Sequence, residues 1–110
     1  MFPSFKYNRD IILAGGLCHD VGKPFEFDPK NQKLWQTKKR AQGAPAVRHP
    51  PYGVHVCLTV GLPLEVAHIA GAHSAEGEHL LRSHEANIVH HADKACWNIL
   101  QTGGLLSDAD

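Results

Sequence analysis

A chain of 110 residues has room for one small domain, and its 11 basic and 11 acidic side chains cancel to zero formal charge. No net field therefore recruits nucleic acid or a membrane surface, and no stretch is long and apolar enough to span a bilayer. Because Met1 to Lys6 also lacks the ordered regions of a signal peptide, a cytoplasmic protein with a single domain over residues 1–110 is the expectation.

Cys18, Cys57 and Cys96 are odd in number, far apart and without a Cys-x-x-Cys pair, which argues against a disulfide framework or a thiolate zinc site and for reduced, mostly buried thiols. The nine histidines are the compositional anomaly. They are scattered from His19 to His91, and many histidines with few cysteines favour imidazole and carboxylate ligation.

Residues from about Asn8 to Val21 read as a helix, with Ile12, Leu13, Ala14, Leu17 and Cys18 as its apolar stripe and Gly22 as the residue that ends it. Gly15 and Gly16 weaken that helix by roughly 1 kcal/mol each relative to alanine, so something should pack close to the backbone there. Pro24 is expected to block continuation. From Phe25 onward helical periodicity fades, and Phe25-Glu26-Phe27 and Leu34 to Thr37 around Asp28-Pro29 predict a short hairpin or loop excursion at about 25–40. His49-Pro50-Pro51 opens a helix to about Val60, and Leu62-Pro63-Leu64-Glu65 opens another that carries Val66, Ile69 and Ala70 to about His73. Ser83 is the expected N-cap of a last helix, roughly His84 to Gln101, with Ile88, Val89, Ala92, Cys96, Ile99 and Leu100 on a broad apolar face. The tail from Leu105 to Asp110 is expected to fray. The fold class is all-α, a compact helical bundle.

Chemistry concentrates at the ends of these helices. His19 and Asp20 are neighbours about 100° apart on a helix end, where both can reach one ion. Asp93 stands among Val89, Ala92, Cys96 and Leu100, and a carboxylate buried on an apolar face must meet a cation or a donor. His49 opens one helix and His73 closes the next, which completes the order His19, Asp20, His49, His73, Asp93. Such nitrogen and oxygen ligands suit Fe, Mn, Zn or Co, one ion or two, with Asp20 as the best bridge between a pair.

With these residues in place, the chain resembles the HD-domain metal-dependent phosphohydrolase superfamily. The resemblance is carried by Leu17 to Lys23, by Arg48-His49-Pro50-Pro51-Tyr52-Gly53, by Gly61 to Ile69 with His73 to Gly77, and by Glu85 to Asp93. It implies that His19, Asp20 and Asp93 are shared metal ligands, and that His49 and His73 are the additional histidines of two-metal members. It implies hydrolysis of a nucleotide or other small phosphate ester by a metal-activated water, with Lys23 and Arg48 neutralising phosphoryl oxygens and Arg82 as a further cation. The residues of the excursion, Phe27 and Trp35 among them, are more readily a packed edge than a base-stacking cover.

One departure is plain. The family also draws a histidine from a helix well upstream of His-Asp, and residues 1–18 contain none. A shortened N-terminus, a ligand donated by a partner in a homo-oligomer, or a domain with incomplete metal chemistry each accounts for that. Two other functions share the scaffold: a regulatory or ligand-binding HD domain, and a di-iron oxygenase.

Overall fold

The computed structural model describes residues 6–105, in which every regular element is helical. The order is α1 (Arg9–Cys18), α2 (Lys23–Glu26), α3 (Pro29–Thr37), α4 (Lys39–Gln42), α5 (His49–Thr59), α6 (Leu64–Ala72), a 3₁₀ turn (Ala75–His79) and α7 (His84–Thr102).

α6 is the centre of the molecule. Val66, Ala67, Ile69, Ala70 and Ala72 are all buried, because α1, α5 and α7 surround a helix that is apolar on nearly every side. Small residues set the crossings. A Cβ on Gly15 would lie 2.2 Å from Ile69 Cδ1, one on Gly71 would lie 2.6 Å from Val54, and one on Gly53 would meet the Ala70 Cβ at 3.3 Å. The close approach expected at the glycine pair is thus found at Gly15, whereas Gly16 has nothing within 4 Å. Asn8 ties the start of α1 to the first turn of α7: its side chain caps α1 by accepting from Ile11 N–H while its own N–H donates to Glu85. Ser83 caps α7 as expected, its hydroxyl oxygen accepting from Ala86 N–H.

Several expectations are corrected. α1 turns Ile11, Ala14 and Cys18 inward while Leu13 and Leu17 are exposed, because a repeat of 3.6 residues aligns 11, 14, 15 and 18 and sets 13 and 17 opposite. The hairpin at 25–40 is replaced by α2, α3 and α4. Asp28-Pro29, which resembles a turn, is the start of a helix: the Asp28 carboxylate accepts from Lys30 and Asn31 N–H, and Pro29 supplies a preset φ in the first turn. α1 ends at Cys18 and does not continue through Pro24, which stands in the first turn of α2. Gly22 has a φ of −81°, so it is not a left-handed helix stop. Its missing side chain matters because a Cβ there would sit 2.1 Å from the His49 carbonyl oxygen.

Trp35, 4% exposed, packs edge-on against Phe25, whose ring stacks on Tyr52 of α5 at 3.8 Å. These rings fasten α2 and α3 to the start of α5. The thiols are free, but only Cys57 is buried, Cys18 being partly covered and Cys96 exposed. The apolar face of α7 is covered at Ala86 and Val89, while Ile99 is 67% exposed. Met1 to Phe5 and the tail beyond Leu105 lie outside the described residues.

Candidate metal centre

Three helix ends meet at one point. His19 caps the end of α1, Asp20 follows it, His49 opens α5 and His73 caps the end of α6. Asp20, His49 and His73 each offer a ligand atom within 4.8 Å of the others. Asp20 Oδ1 lies 3.2 Å from His73 Nε2 and 3.7 Å from His49 Nε2, and the two imidazole Nε2 atoms are 3.3 Å apart. The other Asp20 oxygen, Oδ2, faces away from this trio, 3.3 Å from His19 Nε2 and 3.2 Å from Lys23 Nζ. Asp93 Oδ1 stands 3.7 Å from His19 Nε2.

The tautomers follow from what the other ring nitrogens meet. His19 Nδ1 donates to the Gly16 carbonyl at 2.6 Å, His73 Nδ1 to the Ala70 carbonyl at 2.8 Å, and His49 Nδ1 to the Glu26 carboxylate at 2.7 Å. Since those partners are acceptors only, each neutral ring keeps its lone pair on Nε2, and all three lone pairs are turned toward Asp20. Burial holds the His73 pKa below its ordinary value, against the pull of the Ala70 carbonyl, and the neighbouring His19 and His49 push it the same way. Burial opposes ionisation of Asp20, yet the charge that His19 and His73 carry when protonated, together with the Lys23 ammonium, holds its carboxyl below the usual range.

This donor set fits a metal ion. His19 Nε2 is buried without a hydrogen-bond partner, although two carboxylates stand near it. Opposed lone pairs and carboxylates repel one another unless a cation lies between them. Ligand atoms about 2.0–2.2 Å from a common ion are separated from each other by roughly 3–3.5 Å, close to the spacings here. Imidazole with carboxylate suits a transition ion better than calcium.

Asp93 arrives by a different route from the expected one. Its side chain is 29% exposed and not sealed among apolar neighbours, because Cys96 and Leu100 below it are uncovered. α7 carries it to the rim of an open groove of about 290 Å³ between α1 and α7, walled by Ile12, Gly16, Ile88, Ala92 and Cys96. Lys23 reaches the cluster. Arg48 pairs instead with Glu76, Nη1 to Oε1 at 2.5 Å, and this also gives Glu76 a partner. Arg82 donates to the Ala72 and Ser74 carbonyls and to Glu78, clamping the chain after α6, so it is a brace and not a free cation.

Two supporting residues escape a reading of the sequence. Glu26, 7% exposed, accepts from both the backbone N–H and the ring of His49. Burial opposes its ionisation, but those two bonds and Arg48 hold its carboxyl below the usual range. Gln32 donates to the Glu26 carbonyl and so fixes α2 to α3. The alternation Phe25-Glu26-Phe27 hid this carboxylate inside an apparent strand, and the one available signal was a lone acid between two rings directly after the His-Asp motif. His90 is buried and donates through Nδ1 to the His73 carbonyl at 2.6 Å. His68, earlier on α6, accepts from Ser83 N–H and stays out of the cluster.

No solved structure matches the chain. A dihydroneopterin 2',3'-cyclic phosphate phosphodiesterase of Methanocaldococcus jannaschii is 33% identical over 91 residues, a stretch that covers 80% of this chain and 34% of that protein. The chain therefore spans about a third of the length of the curated relative it matches. The family described as HD domain matches residues 3–97, which include His19-Asp20, His49, His73 and Asp93, and the chain belongs to that family.

Proposed function

We propose that this chain holds the metal centre of a phosphohydrolase that cleaves a nucleotide-like or other small phosphate ester. The observation that carries the reading is the set of three imidazoles fixed with Nε2 lone pairs facing one carboxylate. The phosphodiesterase relative, which by its name acts on dihydroneopterin 2',3'-cyclic phosphate, supports the substrate class.

In this reading His49, His73 and Asp20 Oδ1 hold one divalent transition ion, of Fe, Mn, Zn or Co. His19 and Asp93, with Asp20, would hold a second ion. The ion supplies Lewis acidity and lowers the pKa of water toward neutrality. The residues do the rest. Glu26 keeps the His49 ring oriented, Ala70 and Gly16 do the same for His73 and His19, and Lys23 stands beside Asp20 to meet a phosphoryl oxygen. Arg48, one residue before His49 and steadied by Glu76, is the second cation of the proposal.

Elemental analysis of protein purified without chelator, paired with assays of phosphodiester and phosphomonoester cleavage, tests this. Wild type should retain at least one transition-metal equivalent and hydrolyse an ester, and Asp20→Ala should lose both. Metal content unchanged in Asp20→Ala would remove the centre, metal without ester cleavage would favour a binding domain, and oxygen consumption with substrate would point to an oxygenase.

A further inference from the structure

The two tryptophans stand in opposite environments. Trp35 is 4% exposed and packed on Phe25, whereas Trp97 is 43% exposed. Trp97 lies four residues after Asp93 on α7, so both project from the same face of that helix. The Lys23 ammonium sits 5.8 Å from the centroid of the Trp97 ring and, at the same time, 3.2 Å from Asp20 Oδ2. One lysine therefore joins an exposed indole to the rim of the His-Asp cluster. A ring held in place by a cation and left open to solvent is a ready stacking platform.

We infer that Trp97 and Lys23 form a substrate shelf, with Trp97 stacking a planar aromatic base and Lys23 meeting the phosphate that the base carries. This rests on the hydrolase reading above and narrows its substrate to base-bearing phosphates. Stacking on an indole is tolerant of base identity because every base presents a π-face, so the shelf selects for a base and not for a particular one. The rim has another exposed ring, Phe27, 56% exposed and with its centroid 6.3 Å from that of His49. Phe27 lacks a cation at its face among the described contacts, so it serves as the comparison.

The test uses the whole metal-loaded chain with adenosine and glycerol cyclic phosphates, diesters with and without a base. Trp97→Ala should raise KM for the adenosine ester about tenfold and reduce the preference for it over the glycerol ester by a similar factor, whereas Trp97→Phe should keep most of the preference. In a binding arm that needs no turnover, adenosine monophosphate should quench wild-type tryptophan emission, ribose phosphate should not, and the quench should vanish in Trp97→Phe. An unchanged preference in Trp97→Ala, a quench that survives Trp97→Phe, or loss of preference in Phe27→Ala alone overturns the shelf. If neither ester is cleaved with any ion and the quench persists, the hydrolase reading falls and the shelf stands.

Discussion

At the scale of single residues, the cluster depends on groups that never face its centre. His49 can present its Nε2 lone pair only while Nδ1–H has an acceptor, and Glu26 supplies that acceptor while also binding the His49 backbone N–H. A carboxylate in this position both orients the ring and raises its basicity. Glu26→Gln keeps the shape and one acceptor oxygen but removes the charge, so metal affinity measured by competition with a chelator should fall about 10- to 100-fold with the helical spectrum intact. Affinity equal to wild type would mean that the Ala70 and Gly16 carbonyls, acting on His73 and His19, suffice to hold the site. His73 is held from two further sides, through His90 on its carbonyl and through Arg82 on the Ala72 and Ser74 carbonyls. Much of the histidine surplus thus has an assigned place: three rings face Asp20, while His90 and His68 brace the elements that carry them.

At the scale of elements, glycines separate what packs from what is free. Gly15 and Gly16 are adjacent in α1, yet a methyl on Gly15 would run into the fully buried Ile69 and one on Gly16 would meet nothing within 4 Å. Gly15→Ala should therefore cost about 1–3 kcal/mol through overpacking, whereas Gly16→Ala should add about 0.5–1 kcal/mol through helix propensity. Urea melts of the two variants check the contrast, and equal stabilities would mean that Ile69 has room to turn. Gly22→Ala should lower metal affinity as well as stability, since its Cβ would press on the backbone of His49 itself. The helices α1, α5, α6 and α7 were legible in the sequence because each carries a cap or a proline at its start and an apolar repeat behind it. The sequence also placed His19, Asp20, His49 and His73 at helix ends, and the fold brings those ends together, their role as ligands being the proposal above. The 25–40 segment was not legible. Asp28-Pro29 opens a turn and a helix with the same residues, and what decides between them is tertiary: Trp35 and Phe25 docking on Tyr52. Glu26 was hidden by the same misreading.

At the scale of the whole molecule, the centre joins segments that are far apart in the chain: the end of α1, the start of α5, the end of α6 and a turn of α7. An ion bound there cross-links the bundle around its central helix and neutralises carboxylates and lone pairs that otherwise oppose folding. The unfolded chain has no such arrangement, so binding free energy adds to folding free energy. At a free metal concentration a thousandfold above Kd the gain is about 4 kcal/mol, on the order of 15 °C in Tm for a domain of this size. Chelator-treated protein should therefore melt well below the reconstituted form. Mn, Fe, Co and Zn should each restore Tm while Ca should not, because two imidazoles beside Asp20 Oδ1 favour borderline ions over hard ones. A titration followed by Tm should show a second, weaker rise if His19, Asp20 Oδ2 and Asp93 take up an ion of their own, and Asp93→Asn should remove that second rise and leave the first. Identical melting with chelator and with saturating transition metal would show that the cluster does not bind an ion tightly enough to link the bundle. Stabilisation by Ca equal to that by Mn would show that the carboxylates, and not the three imidazoles, govern the site.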